Sequence, residues 1–463
     1  ASLIASRGCP YAAKACDYAV AANTLILRDD FSWAPAHMLR PGDKILSVTE
    51  FPLGDGPGSF RRWITATIVA TYSRIAEGFE ICTPHGSVTG SLEHPWLTKR
   101  HRFSPTHRTV QWVETEKLKL GNKIAFVSSP KEIVDLAHSD YRRGYLRGLF
   151  EGDGHRRRRR PDLWHFAILC MTDFEALDRF QAYCEEFGIR TKRGPVRRQR
   201  SSYKPQEKVS IYGQDNLNAL DALFGKPIDS REAAAGYLAG IYDAEGSLSE
   251  NRVDGAMVTI SQRPGPILDR VMEAAKRLEL PFVLEGPTVS GVMRLWLRGR
   301  PSTIQMLRFF SLVQPAITRK RQIAHRALRS IWTPITAIRS VGPIKMIDLK
   351  TTSKTFVANG IVSHNCYAAY LGAQYRLRSP KEVVDEMEWL VRRYGVKYVH
   401  YLDDLMCTDY RWALAFADEI IRRKLDVWWG GTCRTNIVAD DVLRGRREGR
   451  PNFLERCHEA GMR

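Results

Sequence analysis

The sequence predicts a multi-domain chain: an all-β module interrupted by a mixed α+β module, the pair of them inserted into an α/β protein. Three observations predict it. Short alternating apolar runs separated by turn residues fill residues 16–135 and return over 333–365. Residues 136–332, between those stretches, contain two helical runs of one design. The flanks, 1–15 and 366–463, differ again, because after Cys366 helical and strand-like runs alternate as in βα units on a parallel sheet.

In chain order, TLILRDD from Thr24, PGDKILSV from Pro41 to Val48 and RRWITATIVATYSRI from Arg61 read as strands. The phrase LKLGNKIAF, Leu118 to Phe126, resembles LRPGDKILSV and points to internal duplication. Between the copies lies VTGSLEHPWLT, which sets Ser91 and His94 three residues apart. A helical run, YRRGYLRGLFEGDG from Tyr141 to Gly154, is followed by a basic loop, His155 to Arg160, and AAAGYLAGIYDAEG from Ala233 to Gly246 repeats that run. Short β runs return as PITAIRSV, IKMIDLKT and TFVANGIVS. Beyond Cys366, SPKEVVDEMEWLVRRYG and WALAFADEIIRRK read as helices, VKYVHYLDD and VWWGGTCR as strands.

With 463 residues, 44% hydrophobic and 26% charged, the chain has the composition of a soluble globular protein of two or three domains. No stretch approaches the roughly 18 apolar residues of a membrane span, so no membrane partner is expected. The opening ASLIASRGCPY lacks a long apolar core and reads as an internal fragment rather than a signal peptide. Nine scattered cysteines without a CxxC pair argue against a disulfide scaffold or zinc ribbon and for a reducing, cytoplasmic setting. The net charge of +19 calls for a polyanionic partner, nucleic acid above all.

Chemistry concentrates at IVSHNC, Ile361 to Cys366. The Asn365 amide can attack its own carbonyl carbon, closing a succinimide and releasing the chain from Cys366 onward. His364 can protonate the leaving nitrogen, and Cys366 is a nucleophile able to hold an acyl chain. At the other end, the Cys16 thiol can attack the Ala15 carbonyl, provided that a proton donor and an oxyanion contact stand by; Ser91 and His94 are the candidates. Deleting residues 16–365 puts Cys366 where Cys16 stood and joins the flanks as SRGCPYAAKACYAAYLG. On these residues the chain resembles an intein, a self-splicing insert. The resemblance implies a Hint-type β splicing fold that brings both junctions to one site and needs no cofactor. It also implies that Asp348, in MIDLK, shuttles protons between steps. Ser91 stands where the family usually has threonine, Lys354 where histidine is common, and the spacing from Cys16 to Thr24 is longer than usual.

In LRGLFEGDG and LAGIYDAEG, Gly148 and Gly152 are four apart, as are Gly240 and Ala244, so each helix has a small-residue face on which the two can pack. Each helix ends on an acid, Asp153 or Glu245, with a following glycine suited to a left-handed turn. Two adjacent carboxylates ask for a divalent cation. These runs resemble the LAGLIDADG homing endonucleases. The resemblance implies a pseudo-symmetric monomer on double-stranded DNA, with Mg²⁺ held by Asp153 and Glu245, and Lys226 as the catalytic lysine. Arg156, Arg157, Arg158, Arg159 and Arg160, with Arg197, Arg198 and Arg200, would touch phosphates.

The joined flanks, through SRGCPY, CYAAYLG and GTCRTNIVADDVL, resemble a radical S-adenosylmethionine enzyme. That family holds an iron–sulfur cluster on CxxxCxxC; Cys9 and Cys366 fit the first and third positions, but Ala13 occupies the second. The alternative reading is such an enzyme with a large inactive insert.

Overall fold

A computed structural model describes residues 2–3, 6–7, 18–53, 60–99, 110–130, 134–160, 163–196, 205–249, 256–299, 302–365, 376–401, 406, 410–432 and 435–463. The chain divides into two compact units, Asp17–Asn365 and Ala1–Cys16 with Cys366–Arg463.

The β part of the inner unit is built on a long antiparallel ladder between Trp63–Thr83 and Ala337–Thr351. Val20–Ala21 and Gly86–Gly90 extend this sheet on one side, and Lys44–Val48 pairs with the far end of the long strand. A second sheet holds Pro95–Lys99, Lys123–Phe126, Ile361–His364 and Thr355–Ala358. Ile26, Ile45, Trp96, Ile124, Phe356 and Ile361 belong to one buried cluster within this β part.

The repeated phrase is a repeated structure. Arg40 N–H donates to the Asp43 carboxylate at 2.8 Å, and Lys119 N–H to the Asn122 side chain at 3.0 Å. Gly42 and Gly121 take φ of +99° and +80°, and their N–H groups donate to Ile68 O and Ile335 O. An Asx residue that holds its own turn, beside a glycine free to enter the left-handed region, fixes both copies. The PITAIRSV and IKMIDLKT runs fall largely into one strand, Ala337–Thr351, whereas TFVANGIVS splits at Asn359–Gly360 into a hairpin.

The mixed module contains α1 (Ser139–Asp153), α2 (Phe174–Glu186), α3 (Gln214–Gly225), α4 (Arg231–Glu245), α5 (Pro266–Arg277) and α6 (Ser302–Val313). Each half runs helix, two strands, helix, two strands, helix, and the two four-stranded antiparallel sheets share one strand order. The halves meet through α1 and α4, which touch backbone to backbone. A Cβ at Gly148 would stand 2.2 Å from Tyr237 O, one at Gly240 2.3 Å from Tyr145 O, and one at Gly236 1.9 Å from Tyr141 O. Gly152 faces the Ala244 methyl group. The contact also pairs the helices crosswise: Tyr145 donates to the Asp243 carboxylate at 2.8 Å, and Tyr237 to Glu151 at 2.7 Å.

Two sequence expectations fail here for one reason. Gly154 and Gly246 are extended, with φ of −77° and −84°, rather than left-handed, and residues 155–160 form a strand, Gly154–Arg160, rather than a loop. Each helix passes directly into the first strand of its sheet, and a Cβ at Gly154 would meet Phe150 O at 2.3 Å. The glycines are needed for space, not for handedness.

The outer unit contains α7 (Pro380–Tyr394), α8 (Tyr410–Arg422), α9 (Thr435–Glu448) and α10 (Phe453–Glu459). Ser379 and Glu382 form a capping box that starts α7, and Gly395 at φ +64° ends it. Ser2–Leu3 pairs in parallel with Tyr398–Tyr401, which pairs in parallel with Trp428–Gly430. Ser6–Arg7 pairs with Arg376–Leu377. Both ends of the chain therefore share sheets in the outer unit. Among the described residues no helix is long and apolar enough to cross a membrane.

The α1–α4 contact yields a stability prediction. Gly148→Val has no room, and should lower the unfolding free energy by about 3 kcal/mol or more. Gly225→Ala, with open space around it, should change it by under about 1 kcal/mol. Urea unfolding followed by circular dichroism compares the two; equal midpoints would contradict the packing argument.

Candidate functional site

Strand register brings five of the predicted junction residues, Ser91, His94, Asp348, His364 and Asn365, into the β part of the inner unit. Cys9, Ala13, Cys16 and Cys366 lie outside the described residues.

Asn365 is fully buried at the end of Ile361–His364. Its Nδ2 donates to Leu349 O at 2.6 Å, the Thr351 hydroxyl donates to its Oδ1 at 3.2 Å, and its N–H donates to Lys354 O at 2.8 Å. A carbonyl can only accept, so the amide nitrogen must face Leu349. The carboxamide is clamped at both ends by Ala337–Thr351, the strand that carries Asp348.

Asp348 is buried, with Oδ2 2.9 Å from Lys350 Nζ. Its Oδ1 has no hydrogen-bond partner among the described residues. Burial pushes its carboxyl above the usual range, against the attraction of Lys350 and Arg74. The same strand pairs Ile347 with Val20, so Asp348 stands where the chain runs back towards its amino terminus.

Ser91 ties that amino-terminal stretch down. Its N–H donates to Ala19 O at 2.9 Å, and Ala19 N–H donates to its hydroxyl at 3.1 Å. The hydroxyl is thus engaged by the backbone three residues beyond Cys16. His94 is fully buried, with Nε2 2.5 Å from the Ser363 hydroxyl and its ring 4.4 Å from that of Trp96. Burial pulls its imidazole down to about 3, opposed by an interaction with the Tyr18 backbone and helped by repulsion from His364. His94 is neutral at physiological pH. It can pass a proton between partners but does not stand as a fixed cation.

His364 is set by residues that the sequence did not single out. Its Nε2 lies 3.1 Å from Glu50 Oε1, and the other Glu50 oxygen is 3.0 Å from Lys354 Nζ. The ring packs against Trp112, centroids 4.8 Å apart. Burial lowers the His364 pKa, and Glu50 offsets this only in part.

At the ends of α1 and α4, the charge of Asp153 reaches Glu245. Burial, then the charge of Asp153, raises the Glu245 carboxyl; burial and the charge of Asp173 raise that of Asp153, which still keeps access to solvent. The cation that lowers both is Lys320, another residue the sequence did not flag. Its Nζ donates to the carbonyls of Asp243 at 2.6 Å and Ala244 at 3.0 Å, capping the last turn of α4. Lys226 instead caps α3, and its carbonyl accepts from Arg143 and Arg147. Arg156 pairs with Asp221 and lies over the Phe150 ring. Arg157, Arg158, Arg159 and Arg160 lie on the strand Gly154–Arg160, and Arg197, Arg198 and Arg200 are outside the described residues.

Comparison with known proteins bears on parts of the chain. Residues 140–225, which run from the start of α1 to the end of α3, match the family described as the LAGLIDADG-like domain. The anaerobic magnesium-protoporphyrin IX monomethyl ester cyclase of Rubrivivax gelatinosus is 39% identical over 70 residues, 15% of this chain and 13% of that protein. An uncharacterized methyltransferase of Pyrococcus horikoshii is 28% identical over 78 residues, 17% of each. The chain therefore spans under a fifth of the length of these relatives. Among solved structures, I-DmoI in complex with DNA and Mn is similar at a TM-score of 0.29 and 14% identity, over 36% of this chain and 93% of that one. The N-terminal LAGLIDADG domain of DUF199/WhiA scores 0.30 at 12% identity, over 39% and 86%. Likenesses of that size carry no argument about function.

The buried neutral histidine gives a pH prediction. His94 has its pKa depressed in the folded chain, so below the ordinary value of about 6.5 the unfolded chain binds a proton that the folded chain does not. Its contribution is complete above that value and is lost as pH falls towards about 3. The wild-type unfolding free energy should drop more steeply across this window than that of His94→Gln, by up to about 1.4 kcal/mol per pH unit. Parallel curves from denaturant titrations would refute the assignment.

Proposed function

We propose that the chain is a self-splicing element that carries a DNA endonuclease module and is flanked by two pieces of a host protein. One observation carries the reading: the buried, doubly clamped Asn365 is the last residue of the inner unit, and the chain beyond it folds with the amino-terminal residues.

Each splicing step can be written on these residues. The Cys16 thiol adds to the Ala15 carbonyl carbon; the C–N bond breaks, the Cys16 amine takes a proton, and a thioester remains. The Cys366 thiol then takes the acyl chain and frees the thiol of Cys16. Asn365 Nδ2 attacks its own main-chain carbonyl, expelling the Cys366 amine and leaving a succinimide. That amine attacks the neighbouring thioester, and the acyl chain moves from sulfur to nitrogen as a peptide bond forms. Neutral His94 serves the first step, with Ser91 holding the segment after Cys16. Asp348, with one oxygen that has no partner among the described residues and a raised pKa, holds a proton for transfer beside Leu349, whose carbonyl positions the Asn365 amide. His364 protonates the departing nitrogen.

The second activity rests on the helix pair. The two acids at the ends of α1 and α4, each with a raised carboxyl pKa, fit a divalent cation, which would supply an activated water for attack on a DNA phosphodiester. Lys320 is better placed than Lys226 to neutralise developing charge there, because it alone of the two influences both acids. The basic strand Gly154–Arg160 would follow the phosphate backbone. For the host, Ala13 in the CxxxCxxC pattern leaves two cysteines, which do not fit a three-cysteine cluster site, and no step is assigned to one. Cytoplasmic location and a monomeric state belong to this proposal.

Intact-mass analysis under reducing conditions tests the splicing. The wild type should yield residues 16–365, one water lighter than the free acid, and residues 1–15 joined to 366–463. Cys16→Ala with Asn365→Ala should yield neither. An uncut wild-type chain after days would count against splicing. For the nuclease, the probe is a duplex encoding the joined flanks. Cleavage with Mg²⁺ should fall by about 100-fold or more in Asp153→Asn or Glu245→Gln. No cleavage by folded wild type at low salt would end the endonuclease assignment.

A further inference from the structure

Glu50 lies far from IVSHNC in sequence, yet its carboxylate joins the two positions that matter most at the second junction. One oxygen is 3.1 Å from His364 Nε2 and the other 3.0 Å from Lys354 Nζ. Its main-chain carbonyl accepts from Arg61 Nε at 3.1 Å and from Trp112 Nε1 at 3.2 Å. Trp112 in turn packs against the His364 ring, and Arg61 lies over Trp112 at 5.3 Å. The carboxylate is therefore fixed from both sides, and its acceptor oxygen forces Nε2 of His364 to be the protonated nitrogen. Lys354 and Glu50 make this corner an ion pair beside His364.

We propose that Glu50 is a positioning residue for Asn365 cyclisation, orienting His364 through Nε2 while Lys354 locks the Glu50 carboxylate in place. This rests on the splicing reading. His364 faces Glu50, Lys354, Arg61 and, at longer range, His94. Glu50 favours the imidazolium, whereas Lys354 and Arg61 oppose it. Removing Glu50 and removing Lys354 therefore have opposite signs on the pH at which His364 loses its proton. A purely structural role would not produce opposed shifts.

The test uses the full chain in a Cys16→Ala background, where release of residues 366–463 reports Asn365 cyclisation alone. Glu50→Gln should slow release by about tenfold or more and move the alkaline fall of the rate to lower pH. Glu50→Asp should recover part of the rate. Lys354→Met should move the fall to higher pH. With Cys16 present, thiol-induced cleavage after Ala15 shows that each variant remains folded. Unchanged rate and pH profile in Glu50→Gln, or shifts of the same sign in both variants, overturn the proposal while release itself upholds splicing. Absence of both release and thiol cleavage in the parent chain overturns the splicing reading and this inference together. Should Glu50→Gln fail to fold, Lys354→Met alone decides, and an unmoved profile refutes the lock.

Discussion

The ladder between Trp63–Thr83 and Ala337–Thr351 is the constraint on which the rest depends. It closes the β part of the inner unit across the whole of the helix-pair module, so the strands before and after that module form one sheet only if the module folds with its ends close together. The same strand that finishes the ladder supplies Asp348, the Leu349 carbonyl and the Thr351 hydroxyl. Pairing and positioning are therefore one act. A slip of one residue would turn Asp348 to the other face of the sheet and take its carboxylate from the buried side.

The helix pair solves a different problem with similar economy. Glycines at the α1–α4 contact let the backbones touch, and the crosswise bonds from Tyr145 to Asp243 and from Tyr237 to Glu151 fix the register. Register is what delivers Asp153 and Glu245 to the same end. Burial first, then a like charge (Asp173 beside Asp153, Asp153 beside Glu245), opposes ionisation and raises the carboxyl pKa of both acids. The carboxylates stay near each other because the tyrosines and glycines leave the helices no other way to pack.

Much of this was legible in the chain, and the gaps have physical causes. The small residues four apart and the terminal acids announced the helix pair, because helical spacing is local. The LRPGDKILSV and LKLGNKIAF phrases announced duplicated turns, because an Asx residue beside a glycine writes its turn directly. His155 to Arg160 read as a loop because five consecutive arginines show no alternation; the strand exists because Leu163–Met171 pairs with it. Gly154 and Gly246 read as left-handed caps because that is the commonest use of a glycine after a helix, whereas here crowding against Phe150 and Tyr242 decides. Glu50 and Lys320 left no trace, since each acts on partners far along the chain and neither sits in a pattern of its own.

The parallel pairing of Ser2–Leu3 with His400–Tyr401 has a consequence for the order of bond breaking. On the proposed splicing steps the piece ending at Ala15 would stay covalently held as a thioester, and this pairing would hold it to the outer unit as well. With the piece held in this way, the move from sulfur to nitrogen would be a first-order event. On that proposal the short edge strand would act as a second clamp, which matters wherever water hydrolyses the thioester first.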